Sequence, residues 1–286
     1  MTVIAAPGLS PFGRALRRWR ALRGMSQLDL ALEADSSARH LSFIETGRAQ
    51  PSRAMVLRLA EALDLPLRER NLLLTAAGYA PAFRETPLDA AAMAGVRRAV
   101  DLMLAKHEPY PALVMDRRFD LVAVNRAAAR LVALMGGADS GGASPDRPPN
   151  LLRLMLAPGG LRRHVVDWPA AARYLVARAR RELTGAGADE AMLALCEEVL
   201  GYPDIPAGAA LAEPGGEAPP PVLAVAFERD GLRLAWFSTI TTFGTPQDVT
   251  LEELHIEHLF PADDATEALA HRLAREGEAC RPAPEA

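Results

Sequence analysis

The chain has 286 residues, half of them hydrophobic, and a net charge of −4, so at about 100 to 200 residues per domain it has room for two domains with buried cores. No uninterrupted apolar stretch approaches the roughly 20 residues of a spanning helix, and Met1 to Pro11 lacks the charged and then apolar layout of a signal peptide. Cys196 and Cys280 stand far apart with no metal-ligand spacing, which predicts plain thiols in a reducing cytoplasm.

The acidic total argues against a nucleic-acid partner, but the distribution does not. Between Arg14 and Arg53 there are eight arginines against Asp29, Glu33, Asp35 and Glu45, a local excess of about four that attracts phosphates. In this stretch Phe12, Leu16 and Trp19 recur at helical spacing and predict a first helix that buries them and turns Arg14, Arg17 and Arg18 outward. Gly24 ends it. Ser26, with Asp29 three residues on, is a cap for a second helix running to about Ala34, and Asp35 suits the sharp, left-handed turn that follows. Ser37 caps a third helix, Ala38 to Glu45, in which Leu41 and Ile44 face inward and Ala38, Arg39, Ser42 and Phe43 remain outside. Pro51-Ser52 opens a fourth helix with Val56, Leu59, Ala60 and Leu63 on its apolar stripe, and Leu67 to Ala77 reads as a fifth. Two short helices set by one tight turn fit the major groove of duplex DNA.

Over about Phe12 to Leu74 this pattern resembles the helix-turn-helix of the phage Cro and C1 repressor type, the xenobiotic-response-element family. The resemblance implies an all-α, five-helix, lambda-repressor-like domain over residues 1–80 that binds double-stranded DNA. Gln27 would then touch phosphate or a neighbouring base edge. Ala38, Arg39 and Phe43 would face base edges, with the planar fork of Arg39 suited to guanine, and Ser37 would lie beside them at the helix start. His40, Ser42 and Arg48 would hold the backbone, and Arg20 and Glu45 match a buried structural pair. Asp35 and Ser36 stand where the family usually has a glycine and a small aliphatic residue. A protein-docking or antitoxin-like use of the same helices remains open.

Gly78-Tyr79-Ala80-Pro81 closes the module. A connector over 81–107 carries Met93, Val96, Val100 and Leu104 at helical spacing, suited to a linker or a dimer helix. After Pro111 the period changes: Ala112 to Met115 and Leu121 to Val124 flank Asp116-Arg117-Arg118 as a hairpin, and Asn125-Arg126 leads into a helix ending at Met135. Gly136 to Pro149 and Gly208 to Pro221 read as mobile breaks around helices at Leu151 to Leu156, Trp168 to Leu183 and Asp189 to Leu200. Val222 to Glu228 and Leu232 to Thr242 flank Arg229-Asp230-Gly231, a strong hairpin signal. On the second of these strands Leu232, Leu234, Trp236 and Ile240 share a face with Ser238 and Thr242, as a pocket wall or as a sheet packed on its own helices. Leu254 to Phe260 adds a strand and Asp263 to Glu276 a closing helix, with a disordered tail over 276–286.

The words Tyr110-Pro-Ala-Leu-Val-Met-Asp, Asn125-Arg-Ala-Ala, Asn150-Leu-Leu-Arg-Leu and Asp167-Trp-Pro resemble the ligand-binding half of the MmyB-like bacterial regulators. The resemblance spans about residues 108–275. It implies an α+β, PAS-like domain with an antiparallel sheet, no enzymatic activity, and a pocket for an apolar small molecule, fatty acids leading. Leu113, Met115, Leu234, Trp236, Ser238 and Ile240 are the candidate pocket residues. No cofactor beyond such a ligand is expected. His255-Ile-Glu257-His258 puts its imidazoles on opposite faces of a strand, where they cannot share an ion, and Ser238 has no nucleophile elbow or paired base around it. The expectation is a cytoplasmic, homodimeric transcription regulator on half-sites about 34 Å apart, with no membrane partner.

Overall fold

The protein is described by a computed structural model over residues 10–136, 147–183, 190–206 and 224–279. Most of the two glycine-rich breaks, Cys280 and the end of the tail lie outside the described residues. Among the described residues no helix is long and apolar enough to cross a membrane. The chain divides into two compact units, and the described part of the first consists of residues 10–86 together with Thr245–Glu252.

The first unit is built on α1 (Pro11–Leu22), α2 (Gln27–Glu33), α3 (Ala38–Glu45), α4 (Arg53–Ala62) and α5 (Leu67–Ala76). Side chains start four of these helices: Ser10, Ser26, Ser37 and Ser52 each accept a backbone N–H from the first turn. Ser26 and Asp29 form the full reciprocal box. Asp35 takes φ 49° in the turn before α3, the left-handed conformation its side chain tolerates. The apolar stripes meet in one core in which Leu16, Leu30, Leu41, Ile44, Leu59 and Leu74 are buried. Gly13 is the contact the apolar pattern does not announce. A Cβ there would sit 2.1 Å from the Glu45 carbonyl oxygen, so α1 and the end of α3 pack at glycine distance.

The second unit starts with a 3₁₀ turn and α6 (Ala94–Lys106), then β1 (Ala112–Met115), β2 (Leu121–Val124), α7 (Arg126–Leu134), α8 (Leu151–Leu156), α9 (Trp168–Leu183) and α10 (Glu190–Leu200). The antiparallel strands β3 (Ala224–Arg229), β4 (Leu232–Thr241) and β5 (His255–Pro261) complete a five-stranded sheet in the order β2-β1-β5-β4-β3, and α12 (Asp264–Ala279) closes the unit. The unit is thus an antiparallel sheet with helices packed on both faces. At the β3–β4 hairpin Asp230 and Gly231 both have positive φ, 51° and 76°, which matches the right-handed twist of the strands. Ala112, Val114 and Ile256 on one face pack with Val100 and Leu104 of α6. The other face places Met115, Phe227, Leu234 and Trp236 against residues of the remaining helices such as Leu131, Leu175 and Leu269.

β4 and β5 are joined through α11 (Val249–Glu252), an element the apolar pattern does not show and which belongs to the first unit. Asp248 accepts from the Thr86 hydroxyl at 2.6 Å, and Val249 N donates to the Arg84 carbonyl at 2.8 Å. Helix α5 follows Pro66, which offers no side-chain cap; the Glu252 carboxylate takes the N–H of Leu67 at 2.6 Å instead. The first unit therefore contains a cap for α5 supplied from 185 residues away.

Candidate nucleic-acid interface and ligand cleft

Helix α3 buries Leu41, Ile44 and Glu45 and leaves its other side accessible. Ser37, Arg39 and Arg48 are exposed, and Gln27, Ala38, His40, Ser42 and Phe43 are half-buried. The guanidinium of Arg39 lies 5.5 Å from the Phe43 ring centroid, a cation–π contact with the side chain one helical turn along. Ser37 is engaged as the α3 cap, its hydroxyl oxygen accepting from His40 N at 3.1 Å.

Behind α3, Glu45 is fully buried. Arg20 Nε donates to its Oε1 at 2.7 Å and Arg20 Nη2 to Oε2 at 3.2 Å, the structural pair that the family resemblance implied. Gln27 Nε2 also donates to Oε2, at 2.7 Å, and Arg17 Nε approaches at 3.5 Å. Gln27 thus spends one amide hydrogen inside the protein and belongs to the clamp that fixes α3, a role its sequence position did not reveal. Burial pushes the Glu45 carboxyl up, but the hydrogen bonds from Arg20 and Gln27 outweigh it and hold the group below the usual carboxylate range.

In the second unit a cleft opens on the face of the sheet away from α6. Leu131 and Leu134 of α7, Leu234 and Trp236 of β4, and Ala270 and Leu273 of α12 line it. Pro109, Pro111, Ala127 and Arg130 complete the wall, and the free volume is about 20 Å³. Of the six expected pocket residues, Leu234 and Trp236 are in this wall. Leu113 and Met115 pack in the core cluster beside it, Met115 fully buried, and neither lines the cleft. Ser238 and Ile240 share the Trp236 side of the strand, and Ile240 is 43 % exposed. Alternation along β4 gives the face correctly, but the wall ends at Trp236, beyond which Ile240 stands in solvent.

Arg130 carries the cleft's charge. Its Nη2 donates to Glu108 Oε2 at 3.0 Å, and Glu108 Oε1 accepts from the backbone of Ala127 at 3.2 Å, tying the approach to β1 to the first turn of α7. Trp236 is 3 % exposed and its Nε1 has no hydrogen-bond partner among the described residues. Nearby on the same face Arg178 and Glu257, both buried, pair at 2.8 Å, with the guanidinium 5.2 Å from the Phe119 ring. No spacing joins residues 79 positions apart, so this pair is invisible in the sequence. The β5 register sets His255 opposite Met115 and His258 opposite Ala112, on opposite faces of the sheet.

Two family models match the chain. The model described as MmyB-like transcription regulator ligand binding domain covers residues 96–273, and the helix-turn-helix model covers 16–70. No curated protein matches. Among solved structures, the restriction-modification controller protein C.AhdI from Aeromonas hydrophila is 34 % identical over 21 % of this chain and 92 % of its own, at a TM-score of 0.21. An RNA-binding light-oxygen-voltage receptor is 14 % identical over 95 % of this chain and 64 % of its own, at a TM-score of 0.27. The family models, and not these two low-scoring likenesses, bear on what the chain is.

Proposed function

The chain belongs to the MmyB-like transcription regulators, and from that membership we propose that it acts as a homodimer on a roughly palindromic operator under the control of a fatty-acid-like ligand. Its domains are those of a DNA-binding transcription regulator. The observation that carries the DNA reading is α3: its inner side is clamped through Glu45 while Arg39, stacked on Phe43, stands in solvent. A rigid helix with one outward arginine is what base readout in a major groove requires. Arg39 reads a base edge, Ala38 and Phe43 lie against neighbouring bases, and Ser37, His40, Ser42, Arg48 and the remaining amide hydrogen of Gln27 meet the backbone. The ligand acts by binding one DNA-affinity state of the protein better than the other. This is regulation without catalysis, in the cytoplasm with the DNA.

The experiment is selection of the preferred duplex from a random pool with the full chain, followed by titrations of that duplex and of a scrambled one. Arg39→Ala is expected to cost about 1 to 3 kcal/mol on the selected sequence and little on the scrambled one. Equal losses on both would assign Arg39 to phosphate. Affinity should also fall linearly in log[salt]; a flat response would favour docking of a protein partner by the same helices.

A further inference from the structure

The segment between β4 and β5 lies in a different unit from the strands it joins. Residues Thr245–Glu252, which include α11, belong to the first unit, whereas β4, β5, Phe243 and Leu254 belong to the second. In the first unit, Asp248 accepts from Thr86 N at 3.2 Å and from its hydroxyl at 2.6 Å, at the last residue before the chain passes to the second unit. Val249 is buried and donates its N–H to the Arg84 carbonyl. Glu252 accepts the N–H of Leu67, a first-turn amide of α5 that no carbonyl of its own helix can reach. In the second unit, Leu254 is buried with Val100, Leu104 and Ile256, and Phe243 packs against the same cluster. One residue, Glu253, separates the anchor in each unit, so neither anchor shifts far without disturbing the other.

We propose that the β4–β5 connection is a regulatory strap: a well-packed second unit holds the ends of the segment, α11 then caps α5, and loosening of β4 or β5 withdraws the cap and weakens DNA binding. The strap's contacts carry its existence, and its use rests on the DNA-binding reading above. Fixing both ends of a short segment raises its effective concentration at α5. The docking contacts are a few hydrogen bonds and one buried valine, a set that can open without unfolding either unit. Loss of the cap frays α5, whose Leu73 and Leu74 share a core with Leu41 and Ile44 of α3. Because β4 also carries Leu234 and Trp236 of the cleft wall, a change at the cleft has a covalent path to α11.

The test follows hydrogen exchange of the Leu67 amide in the full chain, because its protection reports the docking of α11. Ile256→Ala loosens β5 from within the second unit; it is expected to speed Leu67 exchange about fivefold, the worth of one helix cap, and to weaken binding of the selected duplex by up to about that factor. Ile256→Val, a milder loss that should leave the α9 amides protected, acts in the same direction. In a chain lengthened by Gly-Ser-Gly-Ser after Phe243 and again after Glu252 the strap is slack. Leu67 exchange is then faster from the start, and Ile256→Ala adds less than about twofold. Exchange unchanged by both Ile256 variants, or accelerated equally in the lengthened chain, overturns the strap and leaves the DNA reading standing. Accelerated exchange with unchanged duplex affinity overturns its regulatory use. If no duplex is selected from the random pool, the DNA reading falls and the regulatory use with it.

Discussion

Replacing Glu45 by Ala removes the acceptor of three side-chain hydrogen bonds from a fully buried position. What remains is the Arg20 guanidinium, its side chain 16 % exposed, still donating to the Met25 carbonyl at 2.8 Å but stripped of its counter-charge. Breaking a buried pair from one side in this way costs about 3 to 5 kcal/mol. The Arg17 contribution is small, because that side chain is 48 % exposed and 3.5 Å away. Arg20→Met should cost a similar amount, whereas the double variant Arg20→Met/Glu45→Leu should recover most of it, since a well-packed apolar pair can stand in for a buried ionic one. The two units need not unfold together, so the assay is hydrogen exchange of the α1 and α3 amides, which reads local opening free energies. A loss below about 1 kcal/mol in Glu45→Ala, or single losses that simply add in the double variant, would refute the clamp. The clamp also has a pH signature. Its carboxyl is held below the ordinary value of about 4.3, so its contribution is complete above that value and disappears as pH falls through the lower, folded-state pKa.

Gly13→Ala drives a methyl to 2.1 Å from the Glu45 backbone oxygen; a loss of about 1 to 3 kcal/mol is expected in the same exchange measurement, as for overpacking elsewhere. Glu252→Ala should raise exchange at the start of α5 by about 1 kcal/mol, the worth of a helix cap, while Glu252→Gln, which keeps an acceptor for Leu67 N, should change it less. His255 is held below the ordinary histidine range by burial and then by the charge of Arg178. Its neutral form is favoured in the folded state, so stability is complete above about pH 6.5 and falls as pH drops toward the folded pKa. Urea unfolding of the second unit at pH 7.5 and 5.5 should show a smaller acid loss in His255→Gln than in wild type, and an identical loss would remove His255 from the account.

The features legible in the sequence are those whose partners lie within a few positions. Ser26 and Asp29 announce their reciprocal cap, Ser37 the start of α3, Asp35 a left-handed turn and Asp230-Gly231 a hairpin, and each is found where the residues put it. Strand alternation gives the correct face of β4 but not how far the wall of the cleft extends along it, because that depends on where α12 and α7 end. The cap of α5 by Glu252 and the Arg178–Glu257 pair join residues 185 and 79 positions apart, and no local pattern encodes them. Gly13 gives no apolar or polar signal at all; its meaning is the absence of a Cβ against another helix.

The arginines of α1 and its C-cap show what three dimensions add to a charge count. In the sequence Arg14, Arg17 and Arg18 form a basic face beside an apolar stripe, Arg20 is set apart from them only by the family resemblance, and Arg23 by nothing. In the structure Arg20 is committed to Glu45, and Arg23 donates to the carbonyls of Leu63 and Asp64 at 2.9 and 2.7 Å, closing the end of α4. The Arg20–Glu45 pair withdraws one charge of each sign from the surface, so the local excess of about four survives outside the core. That excess attracts any duplex, whatever its sequence. On the function proposed above, discrimination comes from the few side chains α3 holds outward, and the clamp that neutralises Arg20 is also what fixes the helix that carries Arg39.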